Sequence, residues 1–553
     1  MLRADPIQEA LSAAATTGSA KPSARLRSYR IVCYVSLLLV LIFFAAIRFR
    51  LRSMPLERDE GEYAYAGQLL LQGVPPYELA YNMKLPGAYA AYALILAAFG
   101  QTASGVHLGL LVVNACETLL VFLIARRLFG LLAGVASGAT YALLSTSPYV
   151  LGLAGHATHF VALAATAGVL TLMHALKRDS NVLIFAAGVL FGLAFLMKQP
   201  GFAFVLFAAV WLLLAKRPGE GNLRSARLRR VILLLAGALL PFAITCALLV
   251  KAGVFQKFWF WTFSYAAKYA TTVPLSLVGK VFWHNFPHVV QSGILLWAIA
   301  FVGLTAFLWS HAVRKRAFFL TSFLLFSFLA VVPGFRFRPH YFIVMLPAVS
   351  LLAGAAVACA TLKLRARSAP RWLRAVPACL FSLAFVASLL QQQRLFFAMS
   401  PDALVRYTYQ IDIFSDALRA GEYLRDHSPP SARIAVLGSE PEIYFYSHRH
   451  SSTGYIYTYP MQEDQAYAVS MQEEMAREIE AAKPEYLVYA DVANSWTEHT
   501  LRMNLLFSWA KSYMSDYYQE VDRTSWATPG ESAESNLQPS SHSFIHILKR
   551  KSE

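Results

Sequence analysis

The feature that most constrains this chain is a series of apolar runs recurring from residue 31 to about residue 390, separated by short polar gaps. They fall at 31–47, 85–99, 105–125, 131–148, 159–176, 182–197, 201–215, 231–250, 289–310, 317–333, 341–361 and 374–390. About 20 apolar residues in a helix cross the ~30 Å hydrocarbon core of a bilayer. A backbone in that core must satisfy its own polar groups, and runs without period-two alternation do so as α-helices. The expected fold class is therefore an α-helical polytopic membrane protein with 11 to 13 transmembrane helices. Composition agrees. The 553 residues are 57% hydrophobic and 15% charged, against about 25% charged in soluble domains.

The net charge of +17 could indicate a nucleic-acid partner. Its distribution argues for none, because the basic residues sit in the gaps between runs: Arg25, Arg27 and Arg30; Lys216 and Arg217; Arg224 to Arg230; Arg314 to Arg316; Lys363 to Arg367. That is the positive-inside pattern. The five cysteines, Cys33, Cys116, Cys246, Cys359 and Cys379, all lie within apolar runs and form no CxxC pair. They read as small core residues. The run at 31–47 lacks a small-x-small exit and reads as a retained span.

The gaps also set orientation. Basic gaps at 126–127, 177–178, 216–230, 314–316 and 363–374 face the cytoplasm; those at 148–158, 198–200, 251–288 and 334–340 face outward. The expected organisation is a disordered cytoplasmic N-terminus (1–30), a membrane domain (31–390) with an external loop at 48–84, and a soluble extracytoplasmic domain (391–553). A cytoplasmic start and an external tail require an odd number of crossings. Either the short run 85–99 is re-entrant or one gap is misassigned. In the tail, RIAVLG (433–438), EYLVYA (485–490) and 543–548 read as strands. Helical patterns at 407–426, 440–446 and 471–483 alternate with them, so the tail reads as a small α/β domain with a parallel sheet.

The densest concentration of chemistry follows the first run, in RDEGEYAYAGQLLLQGVPPYELAYNMKLPG, residues 58–87. Asp59, Glu60 and Glu62 form an acidic cluster beside the bilayer. A helix from about residue 60 sets Asp59 and Tyr63 on one side, where a carboxylate can act as general base on an acceptor hydroxyl. Asp59-x-x-Glu62 also has capping-box spacing, with Asp59 as N-cap. The two roles are compatible. A second set is basic and external: Lys84 in KLPG, Lys198 in MKQP, and Arg336, Arg338 and His340 in FRFRPHY. Cations held there suit a phosphate or pyrophosphate, or else lipid headgroups. His156 and His159, three apart, are candidate substrate-lining residues. Their spacing would admit a metal, but no further ligand is apparent in the sequence, so no metal site or cofactor is assigned. The aromatic segment 255–270 reads as an interfacial belt. No P-loop, zinc motif or Ser/His/Asp signature occurs.

The acidic pair after the first run, KLP before the next, RRLFG, GLAFLMKQPG and FRFRPHY together resemble the C-superfamily of membrane glycosyltransferases. The resemblance is to bacterial relatives of the protein O-mannosyltransferases and of the aminoarabinose transferases, over most of residues 30–390. GSEPEIYFYS and the tail are similar to those of bacterial members with a soluble external domain. The resemblance implies a multi-pass protein of the bacterial inner membrane, acting as a hexosyl- or pentosyltransferase with inversion. It implies a polyprenyl-phosphate-linked sugar donor and a lipid, polysaccharide or protein acceptor. Asp59 is then the base and Glu60 its support, while Lys198, Arg336 and Arg338 bind the donor phosphate. The family's Lys-Pro element is Lys84-Leu85-Pro86 here, a departure that loosens the assignment of Lys84. Family members differ in their need for a divalent cation. Two other classes fit the spans: a transporter or flippase for a lipid-linked solute, and a non-catalytic scaffold with the same fold.

Overall fold

The computed structural model describes residues 24–214, 224–411, 413–463, 465–492, 495–496, 504–525 and 544–552. Most of the segment expected to be disordered, residues 1–23, and the basic pair Lys216 and Arg217 lie outside these. Residues 24–30 already belong to the first helix, Ala24–Arg50. The chain forms two compact units. One comprises Met1–Leu51, His107–Ala247 and Val273–Met399; the other comprises Arg52–Val106, Leu248–Thr272 and Ser400–Glu553.

The first unit is helical. Every apolar run of the sequence forms a helix, but their lengths separate them. Among the described residues, six helices are long and apolar enough to cross a membrane: Leu26–Arg50, Ala103–Phe129, Ala157–Arg178, Arg224–Lys251, Pro339–Ala366 and Arg371–Gln391. The pair Leu275–Val290 and Ile294–Trp309, bent by 107°, makes a seventh if taken as one span. Leu131–Thr146, Asn181–Met197, Gln199–Leu214 and Ala317–Leu329 are shorter. Pro339–Ala366 is the centre of the unit and is buried along nearly all of its apolar length. Small residues set the helix spacing. A Cβ on Gly188 or Gly192 would meet the carbonyls of Leu234 and Ala238 on the neighbouring helix. This is the small-xxx-small packing that lets membrane helices approach closely where no hydrophobic force between them is available.

In the second unit, the helix Arg58–Leu71 packs against Gly87–Phe99. The latter is the run at 85–99. Its 13 residues span only about 20 Å at 1.5 Å per residue, too short to cross. The segment 255–269 runs through Phe255–Trp259, a π-helical turn Phe260–Tyr265, and Ala266–Tyr269. It differs from the expected interfacial belt. Phe258, Trp261 and Tyr265 are buried. Phe258 packs on Tyr77 and Trp261 stacks on Tyr81, with ring centroids 5.5 and 5.7 Å apart.

Among its described residues the tail carries five strands: β1 (Arg433–Leu437), β2 (His450–Ser451), β3 (Tyr486–Asp491), β4 (Tyr518–Ser525) and β5 (Phe544–Arg550), in the order β2-β1-β3-β5-β4. The expected parallel sheet is instead mixed. β1 is parallel to β2 and β3, while β5 is antiparallel to both β3 and β4. The helix Ala468–Ala482 makes the parallel crossover into β3. Strands β2 and β4 escape sequence reading for different reasons. β2 has two residues, and β4 (YQEVDRTS) is a polar edge strand whose register shifts between Glu520 and Asp522. Such edges do not show the alternation of a half-buried strand. The amphipathic stretch 407–426 is two helices, Pro401–Tyr409 and Ile413–His427, broken where Gln410 turns left-handed (φ 58°).

Candidate functional site

The helix Arg58–Leu71 begins with a capping box, but not the one expected. Glu57 is the N-cap: its side chain accepts from the Glu60 amide at 2.9 Å, and Glu60 accepts from the Glu57 amide at 3.4 Å. Both orphan amides at the helix start are thereby satisfied. Asp59 is thus a residue of the first turn and not the cap. Glu60, expected beside Asp59 in the chemistry, is buried and closes the cap. Burial pushes the Glu57 carboxyl well above the usual range, and the neighbouring charges of Asp59 and Glu60 push the same way, outweighing the amides it accepts from.

With this register Asp59, Glu62 and Tyr63 point to one side of the helix, as i, i+3 and i+4 spacing requires. They converge on Lys84. Its ammonium lies 3.2 Å from Asp59 Oδ1, 3.8 Å from Glu62 Oε2 and 2.8 Å from the Tyr63 hydroxyl oxygen. The Tyr77 hydroxyl fixes the Lys84 carbonyl at 2.7 Å. Tyr89 donates to Glu62 Oε1 at 2.6 Å. The side chain of Glu62 is fully buried, that of Lys84 is 11% exposed, and that of Asp59 is 23% exposed. Asp59 is thus the carboxylate of this pair that solvent or a substrate reaches.

The electrostatics follow from burial. Loss of water raises the Glu62 carboxyl to about 7; Lys84 pulls it down and Asp59 pushes it further up. Burial also opposes the charge on Lys84, but Asp59, Tyr63 and Glu62 outweigh it and hold the ammonium well above its ordinary value. Lys84, expected among the phosphate-binding cations, is therefore a charged group already engaged by two carboxylates. Glu62, which the sequence showed only as part of an acidic cluster, is the second of them.

The remaining basic candidates lie in the first unit. Lys198 sits between Asn181–Met197 and the 3₁₀ turn Gln199–Gly201, with its ammonium 4.0 Å above the Tyr341 ring, a cation–π geometry. Arg336, Arg338 and His340 occupy the turn leading into the central helix. Phe335 (φ 52°) and Phe337 (φ 43°) adopt left-handed conformations there. Such conformations cost on the order of 1–3 kcal/mol each and persist only where surrounding structure holds them. Arg338 is exposed, Arg336 half-buried and His340 buried. His156 stacks on His340 with centroids 4.0 Å apart, whereas Nδ1 of His159 faces Asn114 at 3.5 Å. The i, i+3 histidines thus have different partners. A metal held at the stacked pair would draw at most one nitrogen from each ring and would need further ligands. The loop before His156 is held by a residue that sequence reading passed over. Arg48, near the end of the first span, is buried and donates to the carbonyls of Ser145 at 2.8 Å and Gly152 at 3.0 Å.

Residues 84–250 match the sequence family described as dolichyl-phosphate-mannose-protein mannosyltransferase. No curated protein matches the chain. Among solved structures it is similar to ArnT from Cupriavidus metallidurans bound to undecaprenyl phosphate, with 14% identity and a TM-score of 0.56, covering 93% of this chain and 97% of that one. The apo state of ArnT gives 15% identity, a TM-score of 0.51, and 95% and 98% coverage. The oligosaccharyltransferase of Archaeoglobus fulgidus tethered with an acceptor peptide gives 14% identity, a TM-score of 0.50, and 89% and 73% coverage. The fold is that of the C-superfamily of membrane glycosyltransferases, as the resemblance implied.

Proposed function

We propose that this protein transfers a sugar from a polyprenyl-phosphate-linked donor to an acceptor hydroxyl at the extracytoplasmic face of the bacterial inner membrane, with inversion and with Asp59 as the base. The observation that carries the reading is the state of Asp59. It has no capping duty, it is the accessible carboxylate of a buried cluster, and it is oriented by the ammonium of Lys84. The donor class is supported by the likeness to ArnT, whose structure holds undecaprenyl phosphate.

The chemistry divides between the two sets of side chains. As the glycosidic C–O bond breaks, charge grows on the lipid phosphate, and Lys198, Arg336 and Arg338 are the cations suited to stabilise it. The incoming hydroxyl gives its proton to Asp59 as its oxygen bonds to the anomeric carbon. Lys84, held by Asp59 and Glu62, keeps Asp59 aimed. An outward orientation for residues 52–106 is supported by the basic segment that precedes the first span, Arg25, Arg27 and Arg30, which the positive-inside rule assigns to the cytoplasm. The test is incubation of the purified protein with a panel of radiolabelled polyprenyl-phosphate sugars and membrane extract. A labelled product lost in D59N supports the reading; no transfer from any member of the panel refutes it.

A further inference from the structure

Asp59 lies in the first turn of the helix Arg58–Leu71, and residues around it are held by the C-terminal tail. Arg58 donates from Nη2 to Glu440 Oε1 at 2.9 Å and from Nε to the Ser439 carbonyl at 2.9 Å. Its own carbonyl accepts from the Tyr457 hydroxyl at 2.7 Å. Its guanidinium lies 5.7 Å from the ring centroids of both Phe414 and Tyr459. Two residues upstream of Arg58, the Leu56 amide donates to the Tyr446 hydroxyl at 2.7 Å. Two residues downstream of Asp59, Gly61 lies against Glu442. A Cβ there would stand 2.5 Å from Glu442 Cβ and 2.7 Å from its Cα and N. Because those atoms belong to the backbone and its first carbon, no rotamer change would make room.

Glu440 is itself immobilised. It is fully buried, its Oε2 accepts from the Ser439 amide at 2.7 Å, and its Oε1 also accepts from the Ser495 hydroxyl. A buried ion pair of this kind adds little net stability, because desolvation offsets the attraction. Its value lies in fixing geometry.

We propose that the tail segment Gly438–Glu442 is the positioning element for Asp59, acting through the Arg58–Glu440 pair and the Gly61–Glu442 contact. The proposal rests on Asp59 being the base. It assigns Arg58 and Glu440 as positioning residues and gives the external domain a part in the transfer step rather than in acceptor capture alone.

The test combines E440Q, R58K and D59N in the full-length protein. Turnover is measured with whichever polyprenyl-phosphate sugar of the panel gives product, and binding with undecaprenyl phosphate. Glu440→Gln keeps the shape of the side chain and removes the charge. It should lower turnover about 10- to 100-fold, the scale of a sub-ångström to 1 Å misplacement of a reacting group, while undecaprenyl phosphate binds as to wild type. In the D59N background the same change should produce no further loss, because residues acting through one group are not additive. Wild-type turnover in E440Q, or an equal fold-loss with and without Asp59, overturns the proposal. Should E440Q not fold, R58K decides: it retains the positive charge but loses the Ser439 contact, and wild-type turnover there also overturns it. Failure of the base assignment looks different, since D59N alone would then retain turnover.

Discussion

Replacement of Asp59 by Asn separates a structural from a chemical role more cleanly than any other change in this protein. The helix start does not depend on Asp59, since Glu57 and Glu60 close the capping box between them. What Asn removes is one charge-assisted contact to Lys84, 3.2 Å long and partly open to solvent. Lys84 keeps its contacts to Tyr63 and Glu62 at 2.8 and 3.8 Å, so no buried cation is stranded. A charge-assisted hydrogen bond contributes roughly 1.5–3 kcal/mol, and the exposure of Asp59 moves this toward the weak surface-pair limit of about 1 kcal/mol. The stability cost of D59N should therefore be on the order of 1 kcal/mol. Loss of a general base should lower turnover by roughly 10²-fold or more, equivalent to about 2.7 kcal/mol or more at the barrier. The assay pairs thermal unfolding in detergent with single-turnover transfer from the radiolabelled donor, and measures undecaprenyl phosphate binding separately. A folded D59N that binds undecaprenyl phosphate and transfers at near wild-type rate would refute the reasoning. A variant that unfolds would refute the claim that Asp59 carries no capping load.

Three further outcomes are expected. Lys198→Ala or Arg338→Ala should weaken undecaprenyl phosphate binding by roughly 10- to 150-fold, the loss of one charged contact, with folding retained; unchanged binding in both would assign these cations to bulk lipid headgroups. Burial raises the Glu62 carboxyl from 4.5 to about 7, so the folded state holds that proton more tightly than the unfolded state does. The stability this contributes is full below about pH 4.5 and is lost as pH rises through about 7. E62Q should accordingly gain stability relative to wild type between pH 5 and 8, and a flat difference in melting temperature across that range would contradict it. A periplasm-only reporter fused after Glu553 should be active, and an active cytoplasm-only reporter there would overturn the orientation of the tail.

The parts of the fold legible in the sequence were those set by local composition. Every apolar run became a helix because continuous burial or lipid contact leaves the chain no other way to satisfy its backbone. Strands β1, β3 and β5 were legible because they are short apolar segments between polar turns. The first-turn register was not. Glu57-x-x-Glu60 and Asp59-x-x-Glu62 have the same spacing, and Asp is the commoner N-cap, so local preference pointed two residues too late. Tertiary contacts decided it: only the earlier start turns Asp59, Glu62 and Tyr63 together toward Lys84, 25 residues away from Asp59. The engagement of Lys84 by carboxylates was equally hidden, because a basic residue at a membrane boundary reads alike whether it meets a phosphate or a carboxylate. The Arg58–Glu440 pair joins residues 382 apart, beyond any pattern a single sequence displays.

That separation also governs when the protein can work. The Arg58 contact to Ser439 spans 381 residues, so the first external helix is synthesised long before the segment that clamps it. At ~5–20 residues per second the wait is roughly 20 to 75 s. During it, Leu56, Arg58 and Gly61 stand without their tail partners while later spans are still to be made. A polypeptide stopped short of residue 439, by truncation or stalled translation, would have its spans and its cations but an unanchored Asp59. With Asp59 as the proposed base, a chain that has not yet reached residue 439 should therefore be inactive.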